Sequence, residues 1–184
     1  HPAWRVTPDA GRASVLFGYA LGKAHRLLAG VEADIGPIYT HGATEVMATL
    51  YRESGITLPP SLPVNTAPRR TDWSSALILA PPGAWSSPCM RRLGDSSTAF
   101  ASGWMQVRGA RRRRSLDRGF ALSDHVDWPS LLSTIEATGA QKVLVTHGFT
   151  QAVVRYLTEQ GLDAEAIATR FEGDEVTEDP EPPA

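Results

Sequence analysis

The chain reads as an α/β protein built on a parallel sheet. Two observations predict this. Short apolar runs of strand length, such as Ser14-Val15-Leu16-Phe17 and Ala76-Leu77-Ile78-Leu79-Ala80, alternate with segments of helical period. Such alternation favours parallel strands covered on both faces. Two histidines, His125 and His147, each follow an apolar run and precede a helical segment. That is the carboxyl edge of a strand, where sheets of this kind build their sites.

The elements follow in order. Ser14–Phe17 is a strand, and Gly18–Gly22 a loop. Lys23–Ala29 is a short helix stopped by Gly30. Pro37–Thr40 is a second strand. Ala43–Ser54 is a helix with Val46, Met47 and Leu50 on one face and Gly55 after its end. Residues 58–70 hold four prolines and no period, which predicts a loop. Ala76–Ala80 is a third strand stopped by Pro81-Pro82. Ser87–Leu93 is a short helix and Thr98–Ala101 a fourth strand. Beyond Gly103 the character changes, and the basic cluster of Arg108 and Arg111–Arg114 marks an expected domain boundary. Gly119–Leu122 then reads as a strand, Trp128–Ala137 as a helix, Lys142–Val145 as a strand and Phe149–Gln160 as a helix. Asp163–Thr169 is expected to be a further short helix. Residues 172–184 are acidic and Pro-rich with no apolar period, the composition of a disordered tail. The expected domains are therefore 1–108, 109–171 and the tail 172–184.

Composition bounds the function. A chain of 184 residues supports one large domain, or one domain and part of another. The net charge of −2 selects no partner, whereas the arginine cluster is a candidate contact for nucleic-acid phosphates. Cys89 is the single cysteine, so no disulfide forms within the chain, which fits a reducing cytoplasm. No apolar stretch is long enough to span a membrane, and no secretory leader is evident. The chain starts without Met, as expected of a piece of a longer protein or of a processed domain.

The candidate chemistry starts from the two histidines. A neutral imidazole is a common metal ligand, and Gly148 beside His147 allows close approach. His125 lies between Asp124 and Asp127, and a nearby carboxylate fixes an imidazole's tautomer and favours its protonated form. Such a histidine suits a general acid that protonates a leaving oxygen. Asp127 also precedes Trp128-Pro129, the pattern of a helix N-cap with Pro in the first turn. Gly22-Lys23 opens a helix after a strand, a place where backbone N–H groups and a lysine can hold phosphate, although no Ser or Thr follows Lys23 to complete the phosphate-loop pattern. His25 and His41 read as structural. Cys89 has no histidine partner at motif spacing.

These segments resemble a known family in their order. Val15-Leu16-Phe17 followed by Ala20-Leu21-Gly22-Lys23-Ala24, and later Thr98-Ala99-Phe100-Ala101-Ser102-Gly103-Trp104, look like parts of the β-CASP domain. Ser123-Asp124-His125-Val126-Asp127 resembles that family's Ser-x-His-x-Asp motif, and Val145-Thr146-His147-Gly148 its closing Val-His-Gly motif. The β-CASP proteins are nucleases of metallo-β-lactamase fold acting on DNA or RNA. The nearest resemblance, over residues 13–170, is to the bacterial ligase-associated DNA exonucleases, sometimes labelled mRNA 3′-end processing factors.

The resemblance implies a Rossmann-like parallel-sheet β-CASP domain followed by the C-terminal part of a metallo-β-lactamase fold. It implies metal-dependent phosphodiester hydrolysis in DNA repair. His125 would be the proton donor and His147 the last ligand of a site for two divalent ions, zinc or manganese. Gly22, Lys23, Arg111 and Arg112 would lie along the nucleic-acid path, with Asp124 and Asp127 in support. The implied partners are DNA, with RNA as the alternative, and an ATP-dependent DNA ligase. The family's His-x-His-x-Asp-His cluster does not occur here and belongs to the upstream metallo-β-lactamase segment. A catalytic zinc takes about three protein ligands, so the chain alone is expected to be inactive. Two other readings compete: a non-catalytic nucleic-acid-binding β-CASP module, and an unrelated nucleotide-binding domain using Gly22-Lys23.

Overall fold

The computed structural model describes residues 11–32, 34–106, 116–146 and 148–168. It divides into two compact units, His1–Asp124 and His125–Ala184. The first unit is a six-stranded sheet with helices. Its strands are β1 (Ala13–Phe17), β2 (Ile38–Thr40), β3 (Leu62–Pro63), β4 (Leu77–Ala80), β5 (Ser96–Ser102) and β6 (Arg118–Ala121), in the order β3-β2-β4-β1-β5-β6. Every pairing is parallel, with Val15 opposite Ile78 on one side and Thr98 on the other.

The central strands are apolar on both faces because both faces are covered. On one face Leu16, Leu77, Leu79, Ala99 and Ala101 pack under α1 (Lys23–Ala29) and α2 (Gly42–Glu53). On the other, Val15, Phe17, Ile78, Ala80 and Phe100 lie under short pieces: single 3₁₀ turns at 64–66, 82–84 and 103–106, and α3 (Pro88–Arg91). The side chains alternate between the two faces with the period of two that a strand imposes.

Most elements lie where the residues predict them. The expected fourth strand is longer than its apolar centre, because Ser96, Ser97 and Ser102 also join the ladder. The proline-rich segment contains a two-residue strand at Leu62–Pro63, on the sheet edge where a missing N–H is tolerated. The strand after the arginine cluster, β6, is hydrogen bonded to β5 and belongs to the first sheet. The division between the two compact units falls after Asp124, so β6 lies in the first.

Glu45, in the first turn of α2, anchors that proline-rich segment. It accepts hydrogen bonds from Thr40 and from Ser61 Oγ (2.7 Å), and its Oε1 pairs with Arg52 at 2.9 Å. Burial alone would raise the Glu45 pKa. The hydrogen bonds from Thr40, Ser61 and Arg52, with the Arg52 charge, more than offset it, and the group titrates below its ordinary value. A lowered folded-state pKa contributes stability above the unfolded carboxylate pKa, and that contribution is lost as pH falls through the folded value. Stability followed by denaturant titration is thus expected to fall as pH drops below about 4.5, the ordinary glutamate value. Glu45→Gln is expected to flatten that part of the profile; an unchanged profile would contradict this role.

Gly36 marks the tightest backbone approach. Its φ is 110°, and a Cβ placed there would lie 2.6 Å from the Ser75 carbonyl oxygen. Gly36→Ala combines left-side backbone strain with a clash against main chain that cannot rotate away. We expect a loss of about 2 kcal/mol in urea unfolding, and a loss below about 0.5 kcal/mol would refute the clash.

The second unit contains α4 (Trp128–Thr138), β7 (Lys142–Val145), α5 (Thr150–Glu159) and β8 (Asp163–Ala166). The helix expected over Asp163–Thr169 is a strand instead. Asp163 N–H donates to Gln141 O at 3.2 Å, and Ile167 N–H to Val145 O at 3.0 Å. β7 and β8 pair in parallel, joined through α5. Lys142 reaches both Asp163 (3.6 Å) and Glu165 (3.2 Å), two carboxylates at strand spacing. Local preference for helix in an Ala- and Glu-rich stretch yields here to pairing with β7.

Among the described residues of this unit Leu157 alone is buried, while Val126, Trp128, Leu144 and Phe149 are exposed. Trp128 and Tyr156 meet edge to face, with ring centroids 5.1 Å apart.

Candidate functional site

The first sheet changes direction of winding between β1 and β5. From β1 the chain crosses to β2, on the β4 side; from β5 it goes to β6, on the opposite side. The carboxyl ends of β1 and β5 therefore flank a topological switch point, the place where a parallel sheet opens a crevice. The residues leaving β1 and β6 meet at this edge.

Gly22, with φ 79°, ends the turn after β1, and Lys23 begins α1. The Lys23 side chain is buried, and its Nζ lies 2.8 Å from Asp124 Oδ1 and 5.0 Å from the centre of the Tyr19 ring. One turn along α1, Arg26 donates to the Ser123 carbonyl at 3.0 Å. Two cations from α1 thus hold the segment that follows β6. A lysine buried to this degree needs a partner for its charge, and Asp124, about a third exposed at 34%, supplies it.

The sequence singled out Gly22, Lys23 and Asp124 separately, and the structure brings them together. The amine expected on a phosphate is committed to a carboxylate of the chain itself. Asp127 is the N-cap of α4: its carboxylate accepts from Ser130 N–H at 2.8 Å, with Pro129 in the first turn. Those hydrogen bonds lower its pKa. Each carboxylate that flanks His125 in sequence thus has a partner of its own. His125 is exposed and is the first residue of the second unit. His147, Arg111 and Arg112 lie outside the described residues, as does the tail 172–184.

The remaining sequence candidates are structural. His25 is buried, its Nε2 donates to the Thr44 carbonyl at 2.9 Å, and its ring packs on Tyr51. His41 caps α2 through Ala43 N–H at 3.3 Å. Burial pushes the Cys89 thiol up, away from a reactive thiolate. Sequence reasoning missed Tyr19 and Arg26, and met Ser123 only as the first residue of the Ser-x-His-x-Asp motif. Their roles appear only when the segments that follow β1 and β6 meet at one edge of the sheet.

Among the described residues no group of three or more His, Cys, Asp or Glu side chains stands together as a metal site. These residues do not fit a two-metal centre by themselves. No helix among the described residues is long and apolar enough to cross a membrane.

A protein named "Probable DNA ligase" from Opitutus terrae is 37% identical to this chain over 153 residues. The match covers 83% of this chain but 15% of that protein's length. No protein-family profile matches the chain. No solved structure matches it.

Proposed function

We propose that this chain is the C-terminal portion of a metal-dependent DNA exonuclease that works beside DNA ligation. In this reading residues 1–108 are most of a β-CASP domain, and residues 109–171 close a metallo-β-lactamase fold. The observation that carries the proposal is the relative: 83% of this chain corresponds to a small part of a much longer protein named for DNA ligation. A module that trims DNA ends is a fitting companion to one that seals them.

The chain's own lysines argue against sealing chemistry. Covalent capture of a nucleotide by a lysine needs a neutral, accessible amine. Lys23 is buried on Asp124. The hydrogen bond to Glu165, with the charges of Asp163 and Glu165, raises the Lys142 pKa. End trimming needs different groups from this chain. His125 donates a proton to the departing oxygen, and His147 contributes one metal ligand. Asp124, held by Lys23, sets the backbone that leads into His125, and Asp127 starts the helix after it. In the complete protein His147 would join ligands from another segment to hold two zinc or manganese ions, which would supply Lewis-acid chemistry for phosphodiester hydrolysis.

The bare second unit supports the same reading. Parallel sheets are stable when both faces are covered, and a two-stranded one with, among the described residues, a single buried leucine leaves apolar surface for further strands and helices. The purified 184-residue chain is expected to leave end-labelled single- and double-stranded DNA intact in zinc or manganese. Metal-dependent cleavage abolished by His147→Ala would overturn the assignment of the remaining ligands to another segment. DNA affinity that survives chelation in a longer protein without nuclease activity would favour the non-catalytic binding module.

A further inference from the structure

The thinly covered face of the first sheet carries an aromatic slot that none of the residues above explains. Trp85 stacks on Phe17, with ring centroids 4.7 Å apart and 30° between planes, yet remains 44% exposed. Beside it opens a pocket of about 220 Å³ lined by Phe17, Pro82, Trp85, Phe100 and Leu116. The Tyr19 ring meets the Phe100 ring edge-on at 6.5 Å. A second hollow, which shares Phe17 and Trp85 with the first, is also bordered by Arg91, Gly94 and Thr98.

Arginines from α3 and from the proline-rich segment flank this region. Arg91 is exposed, and its Nη1 donates to Ser86 O at 2.9 Å. Arg92 clips the proline-rich segment through the carbonyls of Val64, Ala67 and Pro68. That clip brings the chain directly into exposed Arg69 and Arg70. None of these four arginines is ion-paired with a described carboxylate. The nearby carboxylates each have a partner: Asp72 with Ser74 N–H, Asp95 with Arg12, and Asp117 with the Thr98 N–H and hydroxyl at the border of the second hollow.

We infer that this face is a subsite for unpaired DNA, with one base stacked in the Trp85 slot and its phosphates on Arg91 and the neighbouring arginines. A flat, partly exposed indole over an apolar pocket fits the π-face of any base. Guanidinium groups around it fit the backbone, the combination that single-strand binders use. A duplex hides its base faces, so the slot selects an unpaired strand. The inference rests on the DNA-directed reading above and adds where on the chain a strand is held, at residues other than Gly22, Lys23, Arg111 and Arg112.

The test is fluorescence anisotropy of the full 184-residue chain with labelled oligo-dT of about 15 nucleotides, within the span of one binding domain. An abasic strand and a duplex of the same length are measured alongside. Oligo-dT is expected to bind more tightly than the abasic strand or the duplex. Trp85→Ala should weaken oligo-dT about tenfold to a hundredfold, the scale of one lost base stack, while leaving the abasic strand nearly unchanged. Trp85→Phe should retain most of the affinity, and Arg91→Ala should lower the salt slope by about one. Circular dichroism establishes that each variant is folded. Should Trp85→Ala unfold the chain, the Trp85→Phe and Arg91→Ala results decide. Wild-type binding to oligo-dT with no loss in folded Trp85→Ala, or none in salt slope for Arg91→Ala, would overturn the subsite and leave the DNA reading standing. Failure of the wild-type chain to bind any of the three DNAs at low salt would overturn both.

Discussion

Asp124→Ala is expected to destabilise the chain by about 3 kcal/mol, although Asp124 itself is partly exposed. The cost falls on its partner. With the carboxylate gone, Lys23 keeps a buried ammonium whose remaining neighbour is the Tyr19 ring. Breaking a buried pair from one side leaves an uncompensated charge, which is why the loss exceeds that of a surface ion pair. Lys23→Met removes that charge and fills the same space, so its cost should stay within about 1 kcal/mol. The double variant Lys23→Met with Asp124→Ala should then be more stable than Asp124→Ala alone. Urea midpoints at unchanged slope would measure all three. A loss below about 1 kcal/mol for Asp124→Ala would show that Lys23 finds another partner, and the anchor role would fall.

The second large effect concerns His125 in the complete nuclease. If it protonates the departing oxygen, His125→Ala should slow cleavage by about 10²- to 10⁴-fold, the usual contribution of a general acid. DNA binding should change little. The loss should shrink on a substrate whose leaving oxygen is already acidic, such as a nitrophenyl phosphodiester, because that oxygen departs without a proton. Equal losses on both substrates would assign His125 to structure or to binding instead. Asp127→Ala serves as the companion variant. It removes the cap of α4 and should reduce stability without this dependence on the leaving group.

The sheet was legible where strands are apolar on both faces. Ser14–Phe17 and Ala76–Ala80 became β1 and β4 because burial on both sides leaves no polar position to confuse the pattern. β8 was not legible, since Asp163-Ala164-Glu165-Ala166 is helix-favouring in isolation. Its period of two, with Asp163 and Glu165 both turned to Lys142, was the signal available.

The site was legible only in parts. Gly22, Lys23, Asp124 and Asp127 could each be picked out, but the link between α1 and the end of β6 joins residues such as Arg26 and Ser123, 97 positions apart. Contacts at that separation depend on strand order, which a single sequence does not state. Asp127 was the exception, because a cap and its helix are local.

The most direct measurement of the central claim is the sequence of the genomic DNA immediately upstream of the codon for His1. The account predicts an in-frame extension containing His-x-His-x-Asp-His, the segment that would supply the metal ligands to which His147 adds one. A stop codon followed by a start codon close to His1 would contradict it. The chain would then have no partner for a two-metal site, and a nucleic-acid-binding module would take the place of the exonuclease.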